Sequence, residues 1–297
     1  MPYRNIFIAN ESSLRLKNNQ LIVNNGQEFS FPVEDIRSIV IDNPNSSFSV
    51  RLMSYLGEQG VCVIMCDKTH TPCCQLMPIG IYCRALKRIE LQQSQTKPKL
   101  KRMWQQVVTK KIVNQAECLK LNGISSEQLV SISKTVQSGD STNREGYAAN
   151  VYFKSLFGKD FTRDKALNSN AALNYGYAII RSFISKTLVS YGLEPSLGIH
   201  HKNQLNAFNL SDDLIEPYRP FVDLLVSKHL DLSEDFSTYH KAELQRLLNC
   251  VCTVDGQKWS IAKSIDLLVQ SVISTFESND IILKLPDINE ISYFNYD

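Results

Sequence analysis

Three short stretches hold the residues with chemistry to offer: Asn143-Arg144-Glu145-Gly146, Gly198-Ile199-His200-His201, and Ser211-Asp212-Asp213-Leu214-Ile215-Glu216-Pro217-Tyr218-Arg219-Pro220. They supply one carboxylate, an imidazole and a carboxylate pair, each beside Arg or Lys. Carboxylate oxygens joined by one neutral imidazole suit a divalent ion such as Mg2+ or Mn2+. Basic neighbours suit a substrate that carries phosphates. A metal in such a set polarises a scissile phosphate and lowers the pKa of a bound water or hydroxyl. The chemistry this implies is metal-dependent and acts on nucleic acid, provided that folding brings the three stretches together.

Each group also has a plainer reading. Thr142 and Glu145 have capping-box spacing, so Glu145 could do no more than reach back to the first amide of a helix running to Phe157. That helix start would also leave N–H groups free for a phosphate. His200 and His201 follow a Gly/Pro-punctuated stretch, where histidines often serve packing. Asp213 and Glu216, spaced i and i+3, share one side of a helix and could be solvated acidic surface. Arg219, between Pro217 and Pro220, could hold a phosphate or pair with Glu216 or Asp223. Cys62, Cys66, His70, Cys73 and Cys74 form a local cluster that suggests zinc, but Cys62 falls in an apolar strand and paired C-x-x-C ribbons are missing. Free buried thiols are the better reading.

The elements that must position these groups change character along the chain. Up to about residue 75 the pattern is β. Ile6-Phe7-Ile8 reads as a strand, Leu14 and Leu16 alternate with polar residues, and Asn18-Asn19 marks a turn. Leu21-Ile22-Val23 follows, then the hairpin signal Asn25-Gly26, the alternating Phe29, Phe31 and Val33, and the strand Ile39-Val40-Ile41. Ser46-Ser47 would cap a helix to about Gln59, and Val61–Met65 returns to strand. The breaker-rich stretch from Thr71 to Gly80 predicts a boundary there. Helical periodicity dominates beyond it, as in 168–191 and 261–276, the second after an Asp255-Gly256 turn. Gln92 to Lys101 reads as a polar connection. The expectation is an α+β protein: a small β-sandwich-like domain over 1–75, then an all-helical catalytic domain over 76–297.

Bulk composition sets wider bounds. At 297 residues with 43 % hydrophobic and 21 % charged content, the chain can build a substantial core, and its formal net charge of +2 announces no polyanion partner. Distribution says more than the sum. Arg84 to Lys111 holds nine basic residues and one acid, whereas Phe276 to Asp297 holds five acids and one lysine. Such asymmetry fits a basic face or a solvated basic helix. Eight cysteines without disulfide-like spacing point to a reducing compartment, and no apolar run is long enough for a membrane span. Cytoplasm is the expected location.

Taken in order, these motifs resemble the CRISPR-associated spacer integrase, the endonuclease of CRISPR adaptation, in the versions found beside type II effectors in streptococci and related bacteria. The resemblance covers essentially the whole chain. Besides Asn-Arg-Glu-Gly, Gly-x-x-His and Asp-x-x-Glu-Pro-Tyr-Arg-Pro it includes Tyr152-Phe153-Lys154-Ser155-Leu156-Phe157-Gly158, Asn174-Tyr175-Gly176-Tyr177 and His201-Lys202-Asn203-Gln204-Leu205-Asn206. It implies Mg2+ or Mn2+ on Glu145, His201 and Glu216, with Asp213 assisting and His200 a rival to His201. It further implies transesterification, in which the 3′-hydroxyl of a short duplex (the prespacer) attacks a phosphodiester of the CRISPR repeat. Candidate phosphate contacts are Arg84, Lys87, Arg88, Arg144, Lys202 and Arg219. Implied partners are double-stranded DNA, a second copy of the chain joined through the β domain, a small ferredoxin-fold adaptation protein, a type II accessory protein and the RNA-guided effector. The competing readings are a stand-alone metal nuclease and a non-catalytic DNA-binding scaffold.

Overall fold

The computed structural model describes residues 2–77, 85–165, 167–233 and 235–294, which cluster into two compact units, 2–77 and 85–294. In the first unit, β1 (Arg4–Ile8), β2 (Ser13–Lys17), β3 (Gln20–Asn24), β4 (Glu28–Pro32), β5 (Ile36–Ile41), β6 (Ser47–Phe48), α1 (Val50–Glu58), β7 (Cys62–Cys66) and β8 (Pro72–Gln75) follow in order. They form two four-stranded sheets, β1-β5-β7-β8 and β4-β3-β2-β6. β5 lies parallel between β1 and β7, and all six of its residues are buried. That explains why Ile39-Val40-Ile41 reads as a continuous apolar run rather than an alternating one. β2 and β3 join through Asn18 and Asn19, both at positive φ, the two-residue hairpin turn for which asparagine is suited. Ile8, Ile39 and Val63 from one sheet, Leu14, Leu21 and Val23 from the other, and Leu52 and Leu56 of α1 share one core.

Ser46-Ser47 does not cap α1. Ser47–Phe48 pairs with Ser13–Leu14 as the short strand β6, and the cap is Ser49, whose side chain accepts the Leu52 N–H at 3.2 Å. Ser47 and Ser49, two residues apart, offer the same capping chemistry, and strand pairing with β2 chose between them.

The second unit contains α2 (Ala85–Gln93), α3 (Lys97–Leu121), α4 (Glu127–Ser133), α5 (Arg144–Phe157), α6 (Asn168–Ser190), α7 (Asn209–Ile215), α8 (Arg219–Leu224), α9 (Thr238–Arg246), β9 (Val251–Val254), β10 (Gln257–Ser260) and α10 (Ile261–Glu277). It is therefore not all-helical: β9 and β10 form an antiparallel hairpin closed by Asp255 and Gly256, both at positive φ. Nor is 92–101 a loop. Lys97–Lys101 opens the 25-residue α3, with Pro98 in the first turn, where its missing N–H costs nothing. Along α3, Trp104, Val107, Val108, Lys111, Ile112, Gln115, Cys118 and Leu119 are buried, making it the spine of the unit. α6 buries Leu173, Ile180, Ile184 and Leu188, and Gly176 lets α8 and α9 approach: a Cβ there would meet Val222 at 2.5 Å and Leu244 at 3.0 Å. No helix among the described residues is long and apolar enough to cross a membrane.

Candidate active site

Glu145 stands in the first turn of α5. The helix is capped by Asn143, which sits in the left-handed region (φ 49°) and accepts the Gly146 N–H at 3.3 Å. Gly146 is small for a reason: a Cβ would lie 2.8 Å from the Asn143 side-chain oxygen. Asp140 accepts the N–H groups of Arg144 (2.8 Å) and Glu145 (3.0 Å). The capping box with Thr142 is thus not what forms, and Asp140 and Asn143 take up first-turn amides that could otherwise meet a phosphate. The Glu145 side chain instead reaches α3, where its Oε1 accepts from Lys111 Nζ at 2.6 Å.

Glu216 begins a 3-10 turn, Glu216–Tyr218, between α7 and α8. It is 4 % exposed. Arg219 Nε donates to its Oε1 at 2.8 Å, and Oε2 stands 2.5 Å from Lys111 Nζ. That second oxygen is buried, with the Lys111 ammonium as its partner. Burial works against the Glu216 charge, yet Arg219 and Lys111 prevail and hold the carboxyl down at about 2. Burial also opposes the Lys111 ammonium, and Glu216 and Glu145 overcome it, raising its pKa. Asn114, one turn along α3, donates to the carbonyls of Pro217 (2.8 Å) and Pro286 (2.9 Å), which fixes the 3-10 turn against the helix.

Asp213 does not share Glu216's environment. Fully buried, it accepts the backbone N–H of His200 at 2.9 Å and of His201 at 3.2 Å, and its Oδ1 lies 2.7 Å from His201 Nδ1. This settles how the two neighbouring histidines differ. His200 is exposed and stacks on Trp104 with ring centroids 4.3 Å apart. His201 has Nδ1 committed to Asp213, which orients the ring and leaves Nε2 open. The Asp213 hydrogen bond, helped by Asp213 and Glu216 charge, raises its pKa against the opposing effect of burial. Gly198 makes the arrangement possible, since a Cβ there would meet the His201 carbonyl at 2.3 Å and Asp213 Oδ2 at 2.9 Å. A cavity of about 420 Å3 opens beside His201, lined among others by Lys202, Asn203, Asn206, Asn209 and Gln92.

The fold thus draws Glu145 and Glu216 to one ammonium and sets His201 within electrostatic reach of Glu216. Among the described residues, no three His, Cys, Asp or Glu side chains stand close enough to hold one metal ion. The donor set nonetheless suits a cation: one oxygen of Glu145 and one of Glu216 already flank a single positive charge. Of the basic candidates, Arg219 is engaged with Glu216 and lies over the Tyr177 ring, and Arg88 pairs with Glu277 at 2.5 Å. Arg144 keeps a buried Nε without a hydrogen-bond partner. Lys87 and Lys202 are exposed, and Arg84 lies outside the described residues. In the cysteine cluster, Cys62 and Cys66 are buried in β7, His70 pairs with Asp42, and Cys73 and Cys74 are exposed rather than buried.

Asn114 and Asp140 went unnoticed in the sequence, and Lys111 figured there only as the last residue of the basic run. The signal for Lys111 was present: a lysine inside the run Val107, Val108, Ile112 on the apolar side of a long helix asks for a buried partner.

Fold and site together define a two-unit α+β protein whose helical unit carries two carboxylates closed on a buried lysine, with an aspartate-oriented histidine beside them. The family model for CRISPR associated protein Cas1 matches residues 6–249. A CRISPR-associated endonuclease Cas1 of Neisseria meningitidis serogroup C (strain 8013) is 37 % identical over the whole of both chains. Among solved structures, a casposase bound to integration product superposes with a TM-score of 0.76 at 18 % identity, covering 96 % of this chain and 93 % of that one. A chain of a Cas6-RT-Cas1–Cas2 complex gives 0.72 at 16 % identity over 96 % of this chain and 36 % of its own. The chain belongs to the Cas1 family of CRISPR-associated proteins.

Proposed function

We propose that this protein is a spacer-acquisition integrase: it joins the 3′-hydroxyl ends of short duplex DNA into the CRISPR repeat by metal-dependent transesterification. The observation that carries the reading is that Glu145 and Glu216, remote in the chain, close on one cation from α5 and the turn before α8. Glu145, Glu216 and His201 through Nε2 would hold Mg2+ or Mn2+. A divalent ion there supplies charge neutralisation in the phosphoryl-transfer transition state and acidifies the attacking hydroxyl. The chain's own residues do the rest. Asp213 fixes the imidazole tautomer and ring direction, Arg219 keeps Glu216 ionised, and exposed Lys87 and Lys202 give phosphates a place to rest without reading sequence. Names of relatives support two features of this reading: the Neisseria relative is called an endonuclease, and the casposase is bound to integration product. The Cas1–Cas2 neighbour supports a small adaptation partner, which the resemblance gives a ferredoxin fold. The same resemblance makes the assembly a homodimer, working in the cytoplasm with a type II accessory protein and effector.

A duplex with free 3′-hydroxyls and the same duplex 3′-blocked, each offered with repeat DNA and Mn2+, separate integration from simple nuclease action. Only the free ends are expected to be joined, and equal joining of the blocked duplex would refute direct attack. Glu145→Ala and His201→Ala are expected to lower joining by about 100-fold or more, as loss of a metal ligand does. His200→Ala is expected to stay within a few-fold. Wild-type joining by His201→Ala would remove that histidine from the ligand set, and loss of joining in His200→Ala would pass its role to the neighbour.

A further inference from the structure

At the heart of the site stands a charged side chain to which the reading above gives no task. Lys111 lies on the buried stripe of α3, its Nζ 2.6 Å from Glu145 Oε1 and 2.5 Å from Glu216 Oε2. The other Glu216 oxygen is taken by Arg219. The ammonium is therefore the group that lets these two carboxylates face each other, Glu216 buried and the Glu145 side chain 25 % exposed. Without a cation between them, the two carboxylates would repel each other, and the buried Glu216 would lack both hydration and a partner for its second oxygen.

A divalent ion held by the same two carboxylates, with oxygens at about 2.0–2.1 Å for Mg2+, would stand within a few ångströms of the ammonium, where two positive charges repel. Resting on the reading of Glu145 and Glu216 as metal ligands, we propose that Lys111 is an internal counter-cation: it holds the two carboxylates poised before metal arrives and is displaced from between them when metal binds. Lys111 is in this sense a built-in competitor that weakens the site's affinity for divalent ions. The anchoring of α3 makes the exchange local. Asn114 donates to the Pro217 and Pro286 carbonyls and accepts the Ile288 N–H at 3.2 Å, so the backbone beneath Lys111 is fixed. The flexible four-carbon stem alone must swing.

The test is Mn2+ binding to the full chain, read by electron paramagnetic resonance of free Mn2+, with thermal melting alongside. Lys111→Met removes the charge at similar length and is expected to bind Mn2+ at least about tenfold tighter, with a larger Mn2+-induced rise in melting temperature than wild type. Lys111→Arg keeps a positive charge and should bind no tighter than wild type. Lys120→Met, an exposed lysine of the same helix paired with Glu117, serves as the control. Should Lys111→Met unfold without metal, refolding by Mn2+ at concentrations that leave the wild-type melt unmoved supports the proposal, and failure to refold overturns it. Equal or weaker binding by a folded Lys111→Met also overturns it. Unchanged Mn2+ affinity in Glu145→Gln and Glu216→Gln would instead defeat the assignment of the ligands themselves, so the two failures are told apart.

Discussion

Glu216 keeps its negative charge where little water reaches it, and it does so by having a cation on each oxygen. Asp213, one helical turn earlier, spends its charge differently, on two backbone amides and an imidazole. The pair spaced i and i+3 thus divides into a group that meets Arg219 and Lys111 and a group that builds the loop bearing His201. Gly198 is where that loop has least tolerance. Any side chain would press on the His201 carbonyl and on Asp213, moving the imidazole while leaving α7 intact. Gly198→Ala is expected to keep the fold yet lose about 100-fold in joining rate, the cost of misplacing a reacting group by about 1 Å. Joining assays with a circular-dichroism melt check this. Activity within a few-fold of wild type would show that the loop can yield.

The helices and strands were legible in the sequence to the degree that one local pattern decided them. Alternation marked β2 and β4, the apolar run Leu21-Ile22-Val23 marked β3, the Asn18-Asn19 turn followed from residues that accept positive φ, and the apolar period marked α6 and α10. Errors arose where two local readings were equally good and a distant contact chose. Ser47 joined a strand because β2 lay beside it, and the β9–β10 hairpin was too short to show a period. In the site, the motifs offered Glu145, two histidines and the Asp213/Glu216 pair, and the family resemblance chose Glu145, His201 and Glu216 among them; Lys111 showed only as a lysine on an apolar helix stripe, and its partners come from other elements. The elements α5, α6 and α8 meet at a second buried acid that no motif advertised. Tyr152 donates to Asp223 Oδ2 at 3.0 Å and Tyr177 to Oδ1, while Cys118 lies 3.1 Å from the Tyr152 hydroxyl. Burial pushes the Asp223 carboxyl up to about 6, although the two tyrosines, Arg163 and Arg219 pull it down. A folded-state pKa above the unfolded value means the folded protein holds the proton more tightly. The stabilisation is complete below about pH 4 and is lost as pH rises through about 6, a change on the order of 3 kcal/mol. Asp223→Asn cannot titrate. The wild-type stability, measured by urea unfolding between pH 4 and 7, is therefore expected to fall relative to this variant as pH rises. Parallel curves would mean that Asp223 stays ionised throughout.

Across the whole molecule, the basic and acidic ends of the sequence partly cancel within the helical unit. Lys110 meets Asp287, Arg88 meets Glu277, and Lys99 donates to the carbonyls of Phe276 and Ser278 at the end of α10. Among the described residues of the basic run, Lys87, Lys97, Lys101 and Arg102 remain exposed, and the proposed DNA contacts would draw on these. The β unit carries a different kind of surface. It has its own core, yet Phe29 on β4, Phe48 on β6 and Val50 at the start of α1 face solvent, Val50 at 81 % exposure. An apolar residue so exposed at a helix start, near the edge strand β6, is what a two-fold partner would cover, and this surface is where we place the self-association of the proposed homodimer. A two-fold interface buries each residue twice. At about 1.5–3 kcal/mol for a fully buried valine, losing both copies is worth roughly a hundredfold or more in self-association. Val50→Glu is accordingly expected to shift sedimentation from the mass of two chains toward one at micromolar concentration, with the melting transition retained because the side chain supports no core contact. A variant that sediments as wild type across the same dilution series would remove Val50 and its apolar neighbours from the interface, and the β unit's part in self-association would have to be sought on another face.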